Sequence, residues 1–324
     1  MLASCAAVPL PPGPSYLNPV FERDFPDPAV LRDADGWFYA YATQSHEGER
    51  IFNIQVARSR DLALWEHLGD ALPEKPRWAA SKQMFWAPHV LHDPASRRYF
   101  MYYSAEPDAA VGKCLAVATA ESPAGPFADA GEPLLCGRSF ENIDPMAFDD
   151  PKTGKRLLYW GSASLPIRVR ELAPDRMRFA PESTAVELLR ADPARAYSRL
   201  VEGAWIVFRS GTYFLFYSGD RCCGANANYA LMVARSSHAL GPFELLGAPI
   251  LEGSAAWLAP GHNSVATDDA GNDWILYHAM REAPQRLMLL DRIEYVDGWP
   301  RIAGGKPSTT PQRRPVVRGY TARP

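Results

Sequence analysis

Three acidic residues that lie far apart in the chain share a similar local context. Asp27 stands in Phe-Pro-Asp-Pro, Asp144 in Ile-Asp-Pro and Glu202 in Val-Glu-Gly-Ala-Trp. Apolar and aromatic neighbours favour the partly dry surroundings that raise the pKa of a carboxyl group. Cleavage of a glycosidic bond needs such a set, because one carboxylate activates water while one protonated acid serves the leaving oxygen. A third carboxylate nearby would keep that acid protonated by repulsion between like charges.

An internal repeat explains how these carboxylates could meet. Five units begin at Asp27, His89, Asp144, Glu202 and His262, with a spacing of roughly 60 residues. Each unit continues into short runs rich in aromatic and β-branched residues and divided by Gly, Asp and Pro, which predicts strands and hairpins. A unit has room for about four strands, the content of one propeller blade. The sequence therefore predicts an all-β fold, a five-bladed β-propeller whose first strands converge on the axis. A β-sandwich is the alternative.

The composition agrees with this prediction and excludes several classes of protein. The 30 prolines argue against a helical bundle, and the abundance of Trp, Tyr and Phe suits β-structure. A formal net charge of −3 gives no sign of a nucleic-acid or membrane-surface partner. No run of about 18 consecutive apolar residues is present, so no membrane span is predicted. No phosphate-binding loop or dinucleotide fingerprint occurs either.

The chain divides into three predicted parts: residues 1–15 as a truncated signal and linker, 16–305 as the catalytic propeller, and 306–324 as a tail. Leu-Ala-Ser-Cys at the start resembles a bacterial lipobox, in which Cys5 would be lipidated. The basic and apolar stretches of a secretory signal are missing. We expect an exported protein, periplasmic or extracellular in a bacterium, with lipid anchoring at Cys5 as an open alternative.

The other cysteines allow disulfides in an exported chain. Cys114 lies on a predicted strand and Cys136 on the next short apolar run, so the two could be neighbours. Cys222 and Cys223 are adjacent in a loop rich in Gly and Asn, where a bond between them is possible. Buried or unpaired thiols are the alternative. No Cys-x-x-Cys spacing indicates a structural zinc site.

The motifs taken together carry a family resemblance over residues 18–302. They are Asp24-Phe-Pro-Asp-Pro, Trp86-Ala-Pro, Ile143-Asp-Pro, Glu202-Gly-Ala-Trp, Gly261-His-Asn-Ser, and Arg286-Leu-Met-Leu-Leu-Asp-Arg-Ile followed by Asp297-Gly-Trp-Pro. The chain resembles glycoside hydrolase family 43, which contains five-bladed propeller arabinofuranosidases, arabinanases and xylosidases. The resemblance implies that Asp27 is the general base, Glu202 the general acid and Asp144 the modulator of the acid's pKa. It also implies inversion at the anomeric carbon.

The resemblance assigns further residues to the substrate. Trp86 would stack on the sugar, and Arg286 would bind a sugar hydroxyl or a catalytic carboxylate. Phe25, His89 and Trp205 are also predicted to contact substrate, although His89 stands where family members usually carry an acidic residue.

A structural ion is a further expectation. His262 matches a histidine that the family often places beside an ion on the propeller axis, commonly calcium reached through water. Because calcium prefers oxygen ligands, an axial histidine that only forms hydrogen bonds is an equal alternative. The chemistry itself requires no cofactor.

The expected function is inverting, exo-acting hydrolysis of α-L-arabinofuranosyl linkages in plant cell-wall arabinan or arabinose-substituted polysaccharides. Residues 168–196 are expected to wall one side of the pocket. A β-D-xylosidase is the alternative within the class. A non-catalytic carbohydrate-binding propeller and a transglycosylase, with carboxylates about 5–5.5 Å apart, are alternatives outside it. The expected partner is an oligosaccharide or polysaccharide.

Overall fold

The computed structural model describes residues 14–163, 165–282 and 284–319. Five small antiparallel sheets are arranged as a five-bladed propeller, so the predicted fold is confirmed. The two helical segments in this part of the chain are single 3₁₀ turns, Arg77–Ala79 and Ala303–Gly305, and neither could span a bilayer. The predicted lipid site at Cys5 lies outside the described residues.

The strands of each blade follow one another in chain order. Before the blades comes β1 (Ser15–Tyr16). Blade I contains β2 (Ala29–Arg32), β3 (Phe38–Ala42), the side hairpin β4 (Ser45–Glu47) and β5 (Arg50–Phe52), then β6 (Gln55–Ser59) and β7 (Trp65–Asp70). Blade II contains β8 (Trp86–Asp93), β9 (Arg98–Ala105), β10 (Cys114–Ala120), β11 (Ala128–Asp129) and β12 (Leu135–Cys136).

The remaining blades have four strands each. Blade III contains β13 (Met146–Asp149), β14 (Arg156–Trp160), β15 (Ile167–Glu171) and β16 (Val186–Leu189). Blade IV contains β17 (Val201–Arg209), β18 (Thr212–Gly219), β19 (Ala230–Ser236) and β20 (Glu244–Leu245). Blade V contains β21 (Leu258–Thr267), β22 (Asp273–Met280), β23 (Leu287–Val296) and β24 (Trp299–Ile302). The last strand is β25 (Gln312–Arg313).

The first strands of the blades form a closed ring. β2 contacts β8, β8 contacts β13, β13 contacts β17, β17 contacts β21, and β21 contacts β2. The second strands are almost wholly buried, and every residue of β3 and β22 is buried. Because both faces of such a strand are buried, these strands are mostly apolar along their length instead of alternating between apolar and polar residues. This explains the aromatic runs by which the repeat is visible in the sequence.

The chain termini close the ring. The segment before blade I adds to the edge of β23, where the backbone N–H of Val20 donates to the carbonyl of Met288 (3.0 Å). β1 pairs with β25, and Arg314 forms an ion pair of 2.8 Å with Asp61. The described part of the tail, up to residue 319, is therefore packed on the propeller.

Both predicted cysteine pairs are disulfides. Cys114 on β10 is bonded to Cys136 on β12, and the two residues are partners in the strand register. Cys222 is bonded to Cys223 in the loop between β18 and β19. The alternative of unpaired thiols is therefore not what the structure contains.

Candidate active site

Each first strand begins with the same backbone bend. One residue in every blade has a positive φ between 43° and 62°: Asp27, Ala87, Asp144, Gly203 and His262. The strand register confirms that these five are equivalent, because the residue two positions later pairs with the second strand in each blade. In blades II, IV and V the register also shifts at this point, as in a β-bulge. A bend of this kind re-aims side chains at the strand start.

Hydrogen bonds between neighbouring blades hold four of these bends. In each, the backbone N–H of the bent residue donates to a side chain at or just beyond the second strand of the preceding blade. The bonds run from Asp27 to His278 Nδ1 (3.1 Å), from Ala87 to Thr43 Oγ1 (2.8 Å), from Asp144 to Ser104 Oγ (3.1 Å) and from His262 to Ser218 Oγ (2.8 Å).

The bends surround a cavity of about 370 Å³ that contains all three predicted carboxylates. Asp27 and Asp144 occupy equivalent positions, but Glu202 precedes the equivalent residue, Gly203, by one. The expectation that all three would be equivalent is thus correct for two of them. A Cβ atom at Gly203 would lie 3.3 Å from His262 Nδ1, so glycine leaves room for that ring.

Asp27 is held as an anion by the cationic Arg286 and by a hydrogen bond from Thr43. Its Oδ1 lies 3.2 Å from Arg286 Nη1 and 3.1 Å from His278 Nδ1, and its Oδ2 accepts a 2.5 Å hydrogen bond from Thr43. Burial alone would raise the pKa of Asp27, but the positive charge of Arg286 leads the interactions that hold this pKa well below its ordinary value. A buried carboxylate in this state is a proton acceptor at neutral pH.

The pKa of Glu202 is shifted in the opposite direction. It is buried, accepts hydrogen bonds from the hydroxyl groups of Ser162 and, at 2.9 Å, Tyr229, and burial raises its pKa to about 7. The pKa of Tyr229 is raised well above its ordinary value, chiefly by burial, so its hydroxyl stays protonated. A Cβ atom at Gly261 would lie 2.2 Å from Tyr229 Cδ1, which explains the glycine in that motif.

Asp144 is affected by the charges of both other carboxyl groups. Burial, followed by the negative charges of Glu202 and Asp27, raises the pKa of Asp144 well above its ordinary value. One oxygen accepts a 2.9 Å hydrogen bond from the backbone N–H of Gly203, next to Glu202. The carboxyl groups of Asp144 and Glu202 therefore titrate as a pair, and losing the last proton would leave two adjacent anions.

His262 lines the cavity among the carboxylates. Its Nδ1 lies 3.4 Å from Asp27 Oδ1 and 3.8 Å from Asp144 Oδ2. Burial lowers the pKa of His262 to about 4, so the ring is neutral at pH 7.

The expected calcium ion is not matched by a built ligand set. Among the described residues, no group of three or more His, Cys, Asp or Glu side chains is arranged to hold a metal ion. Three buried side chains near this strand start have polar atoms without a hydrogen-bond partner: Asn263, Ser264 and, at Nε2, His278. Calcium takes about six to eight oxygen ligands, so an ion here would take most of its ligands from water, and the calcium ion stays a prediction. We derive no step through a metal ion.

Trp86 and Arg286, both predicted to contact substrate, line the cavity. Lys113 lies beneath the indole of Trp86, with Nζ 3.6 Å from a ring centroid, and donates a 3.0 Å hydrogen bond to the carbonyl of Met84. Burial lowers the pKa of Lys113 to about 8. The ammonium group occupies one face of the indole and fixes its orientation by a cation–π contact.

Three predicted substrate contacts are not part of the cavity lining. Phe25 is fully buried and packs edge-on against Phe21, with ring centroids 5.2 Å apart. His89 and Trp205 stand two residues beyond the bend, where side chains point into the core, and their rings contact each other at 5.2 Å. Burial lowers the pKa of His89 to about 3. The positions of His89 and Trp205 relative to the bend explain why these two side chains do not reach the cavity.

Several residues of the site were not predicted. Thr43, Ser162, Tyr229 and His278 contact the carboxylates. A signal for His278 existed, because it closes the second-strand run of the fifth unit, where other units carry Ser or Thr. The expected wall from residues 168–196 is wrong, because none of these residues lines the cavity. The wall contains instead Phe140, Ile143, Leu200, Asp220, Arg221, Cys222 and Cys223.

Comparison with known proteins agrees with this geometry. The sequence model of glycosyl hydrolases family 43 matches residues 16–300. A β-D-galactofuranosidase from Aspergillus niger is 31% identical over 278 residues, covering 81% of this chain and 75% of that protein. An extracellular exo-α-(1→5)-L-arabinofuranosidase from Cellvibrio japonicus is 26% identical, covering 86% of each. The crystal structure of a thermostable family-43 glycoside hydrolase, 25% identical, superposes with a TM-score of 0.78 over 94% of this chain and 100% of that one. The chain belongs to glycoside hydrolase family 43.

Proposed function

We propose that this protein is an inverting hydrolase that removes terminal α-L-arabinofuranosyl residues from arabinan or arabinose-substituted polysaccharides of plant cell walls. The observation that carries the proposal is the contrast between two carboxyl groups in one cavity. The pKa of Asp27 is held well below its ordinary value, whereas burial raises the pKa of Glu202 to about 7. Carboxyl groups whose pKa values are pushed apart are suited to the roles of base and acid.

The proposed mechanism uses each group in its resting protonation state. Asp27 accepts a proton from a water molecule while the water oxygen attacks the anomeric carbon from the face opposite the leaving group. Glu202 gives its proton to the glycosidic oxygen as that bond breaks, and Ser162 and Tyr229 hold its carboxyl in place. Arg286 keeps the carboxylate of Asp27 oriented. Exchange of one proton between the two groups and solvent restores the resting state.

The size of the cavity and one relative support the substrate and the exo action. A volume of about 370 Å³ lies near the lower end of the usual range of about 300–1,000 Å³ for ligand pockets, so the cavity suits a chain end better than a long internal stretch. The relative from Cellvibrio japonicus is an exo-acting arabinofuranosidase.

A second candidate substrate is a β-D-galactofuranoside. The relative from Aspergillus niger that is 31% identical acts, by its name, on that sugar. β-D-galactofuranose and α-L-arabinofuranose have the same arrangement of ring substituents and differ by one exocyclic hydroxymethyl group. A furanoside site can therefore accept one or both, depending on the space at that carbon.

The proposed function is tested by a proton NMR time course on linear arabino-oligosaccharides. Xylo-oligosaccharides and a β-D-galactofuranoside are followed in parallel tubes. We expect arabinose to appear first as the β-anomer, because attack by water opposite the leaving group inverts an α-linkage. Release of single arabinose units from the start would support exo action. Arabinose appearing first as the α-anomer would contradict inversion, and release from the xyloside alone would indicate a β-xylosidase.

Replacement of Asp144 by Asn is expected to move the basic limb of the pH–activity profile to lower pH. The last proton of the Glu202–Asp144 pair is retained partly because its loss creates two adjacent anions, and a neutral amide removes that repulsion. The amide oxygen can still accept the hydrogen bond from Gly203. The measurement is kcat against pH for both enzymes. A basic limb that does not move would rule out the modulating role.

We also propose that the protein is exported. Two disulfides suit an oxidising compartment, and the relative from Cellvibrio japonicus is extracellular. Lipid attachment at Cys5 stays a prediction, which mass spectrometry of the protein isolated from its host would test.

A further inference from the structure

The cavity wall contains a disulfide between two residues adjacent in sequence. Cys222 and Cys223 both line the cavity that holds Asp27 and Glu202. Cys222 is half-buried and packs against a small apolar cluster of Tyr229, Ala259 and Met280. Cys223 is exposed. The pair therefore joins the packed interior on one side to the open cavity on the other.

The loop that carries the pair is closed at its base. Asn228 donates a 3.0 Å hydrogen bond to the carboxylate of Asp220, and its backbone N–H donates to the carbonyl of Arg221 at 3.1 Å. The backbone N–H of Arg199 donates to the other oxygen of Asp220 at 2.9 Å. The next residue after this base is Tyr229, which holds Glu202. The base of this loop therefore positions the two sulfur atoms and also leads directly into Tyr229, which positions Glu202.

This disulfide has little to contribute as a crosslink. A disulfide stabilises a fold mainly by restricting the unfolded chain, and the effect grows with the length of the closed loop. Cys114 and Cys136 are separated by 22 positions and tie β10 to β12, whereas Cys222 and Cys223 are separated by one and close no loop. A role for the second bond has to be sought in the surface that it creates.

That surface is apolar and polarizable. A disulfide carries no S–H, whereas two free thiols would present two weak donors on independently rotating side chains. Sulfur makes favourable contacts with apolar groups, and a furanosyl ring presents C–H groups on its faces. We propose that the Cys222–Cys223 disulfide is a substrate-binding surface of the cavity, against which the C–H groups of the terminal furanosyl residue lie. The proposal rests on the proposed glycosidase function and names a contact of that site.

The first test is the double variant Cys222→Ala/Cys223→Ala. We expect the KM for short arabino-oligosaccharides to rise about tenfold, with kcat changed by less than about threefold, because one apolar contact in a pocket is worth a factor of that order. A KM within about twofold of wild type, or a fall confined to kcat, would overturn the proposal, since the second pattern means that the pair only supports Tyr229 and Glu202. Thermal unfolding of both proteins separates these effects from loss of fold.

The second test is reduction of the wild-type enzyme with a phosphine. The phosphine and water become phosphine oxide, and the disulfide takes up two electrons and two protons to give two thiols. We expect KM to rise on reduction in wild type and in Cys114→Ala/Cys136→Ala, where the cavity pair is intact. The Cys222→Ala/Cys223→Ala variant should show no response. A response that persists in this variant, or is lost in the Cys114/Cys136 variant, would overturn the proposal.

These experiments distinguish failure of the proposed glycosidase function from failure of the disulfide proposal. Oxidised wild-type enzyme is assayed first on the arabino-oligosaccharide and on the galactofuranoside, and the comparison of variants uses the substrate that is cleaved. If neither is cleaved, the furanosidase function is wrong, and the disulfide proposal falls with it. If one is cleaved and the variants match wild type in KM, only the disulfide proposal is wrong.

Discussion

An Asp27→Asn enzyme should lose about 10²–10⁴-fold of kcat on arabino-oligosaccharides while remaining folded, the usual range for loss of a general base. The amide can still accept the hydrogen bond from Thr43, so the local structure should survive. It cannot take a proton from water, and it gives Arg286 no anion to bind. The loss should therefore be catalytic, and kcat together with the thermal unfolding curve measures it.

The matched control is Asp291→Asn in blade V. Asp291 is also buried and accepts a 2.6 Å hydrogen bond from Tyr277, but it does not line the cavity. We expect this variant to keep turnover within about threefold of wild type, because it removes no group that reacts with the substrate. An Asp27→Asn enzyme that keeps more than about a tenth of wild-type turnover would rule out the role of general base.

Replacement of Glu202 by Gln should cause a loss of similar size, about 10²–10⁴-fold in kcat, on substrates with a sugar leaving group. A sugar alkoxide leaves poorly without a proton, whereas 4-nitrophenolate leaves well without one. The loss on 4-nitrophenyl α-L-arabinofuranoside should therefore be much smaller. Because burial raises the pKa of Glu202 to about 7, wild-type activity should fall as the pH rises through that value. The Gln variant should lack this limb.

One control variant accompanies this prediction. Glu252→Gln removes a half-buried carboxyl group outside the cavity that contacts Tyr197 and should leave activity on both substrates unchanged.

The raised pKa of Glu202 also predicts how the replacement by Gln changes the stability of the protein. A carboxyl group whose pKa is higher in the folded state than in the unfolded chain costs stability as the pH rises through the folded pKa. At about pH 8, the unfolding temperature of Glu202→Gln should therefore be equal to or higher than that of wild type. An equal loss on both substrates would contradict the role of general acid.

The fold was predictable because the interactions that define a blade are local in sequence. Each blade is built mainly from antiparallel strands that follow one another in chain order, so turn residues and aromatic runs within about 60 residues carry the signal. The buried second strands, such as β3 with every residue buried, appear in the sequence as aromatic and apolar runs. Ring closure was not visible in this way, since the pairing of β1 with β25 joins opposite ends of the chain.

The site was predictable to the level of its three carboxyl groups. Asp27, Asp144 and Glu202 stood out because the repeat placed them near the start of their units, and all three line one cavity. The neighbouring side chains could not be assigned in the same way. Whether a residue near the strand start faces the cavity depends on its offset from the bend. That offset turns His89 and Trp205 toward each other in the core.

Two statements about this protein follow from the sequence by itself: a repeated antiparallel unit, and acidic residues at the starts of three of those units. Both depend on neighbours in the chain. The tertiary structure decided which carboxyl group carries a proton and which does not. That difference comes from the closed ring: Arg286, in the loop before β23 of blade V, lies 3.2 Å from Asp27, whereas burial raises the pKa of Glu202. Burial and charge at a site are sums over residues distant in sequence, so they exist only once the ring has closed.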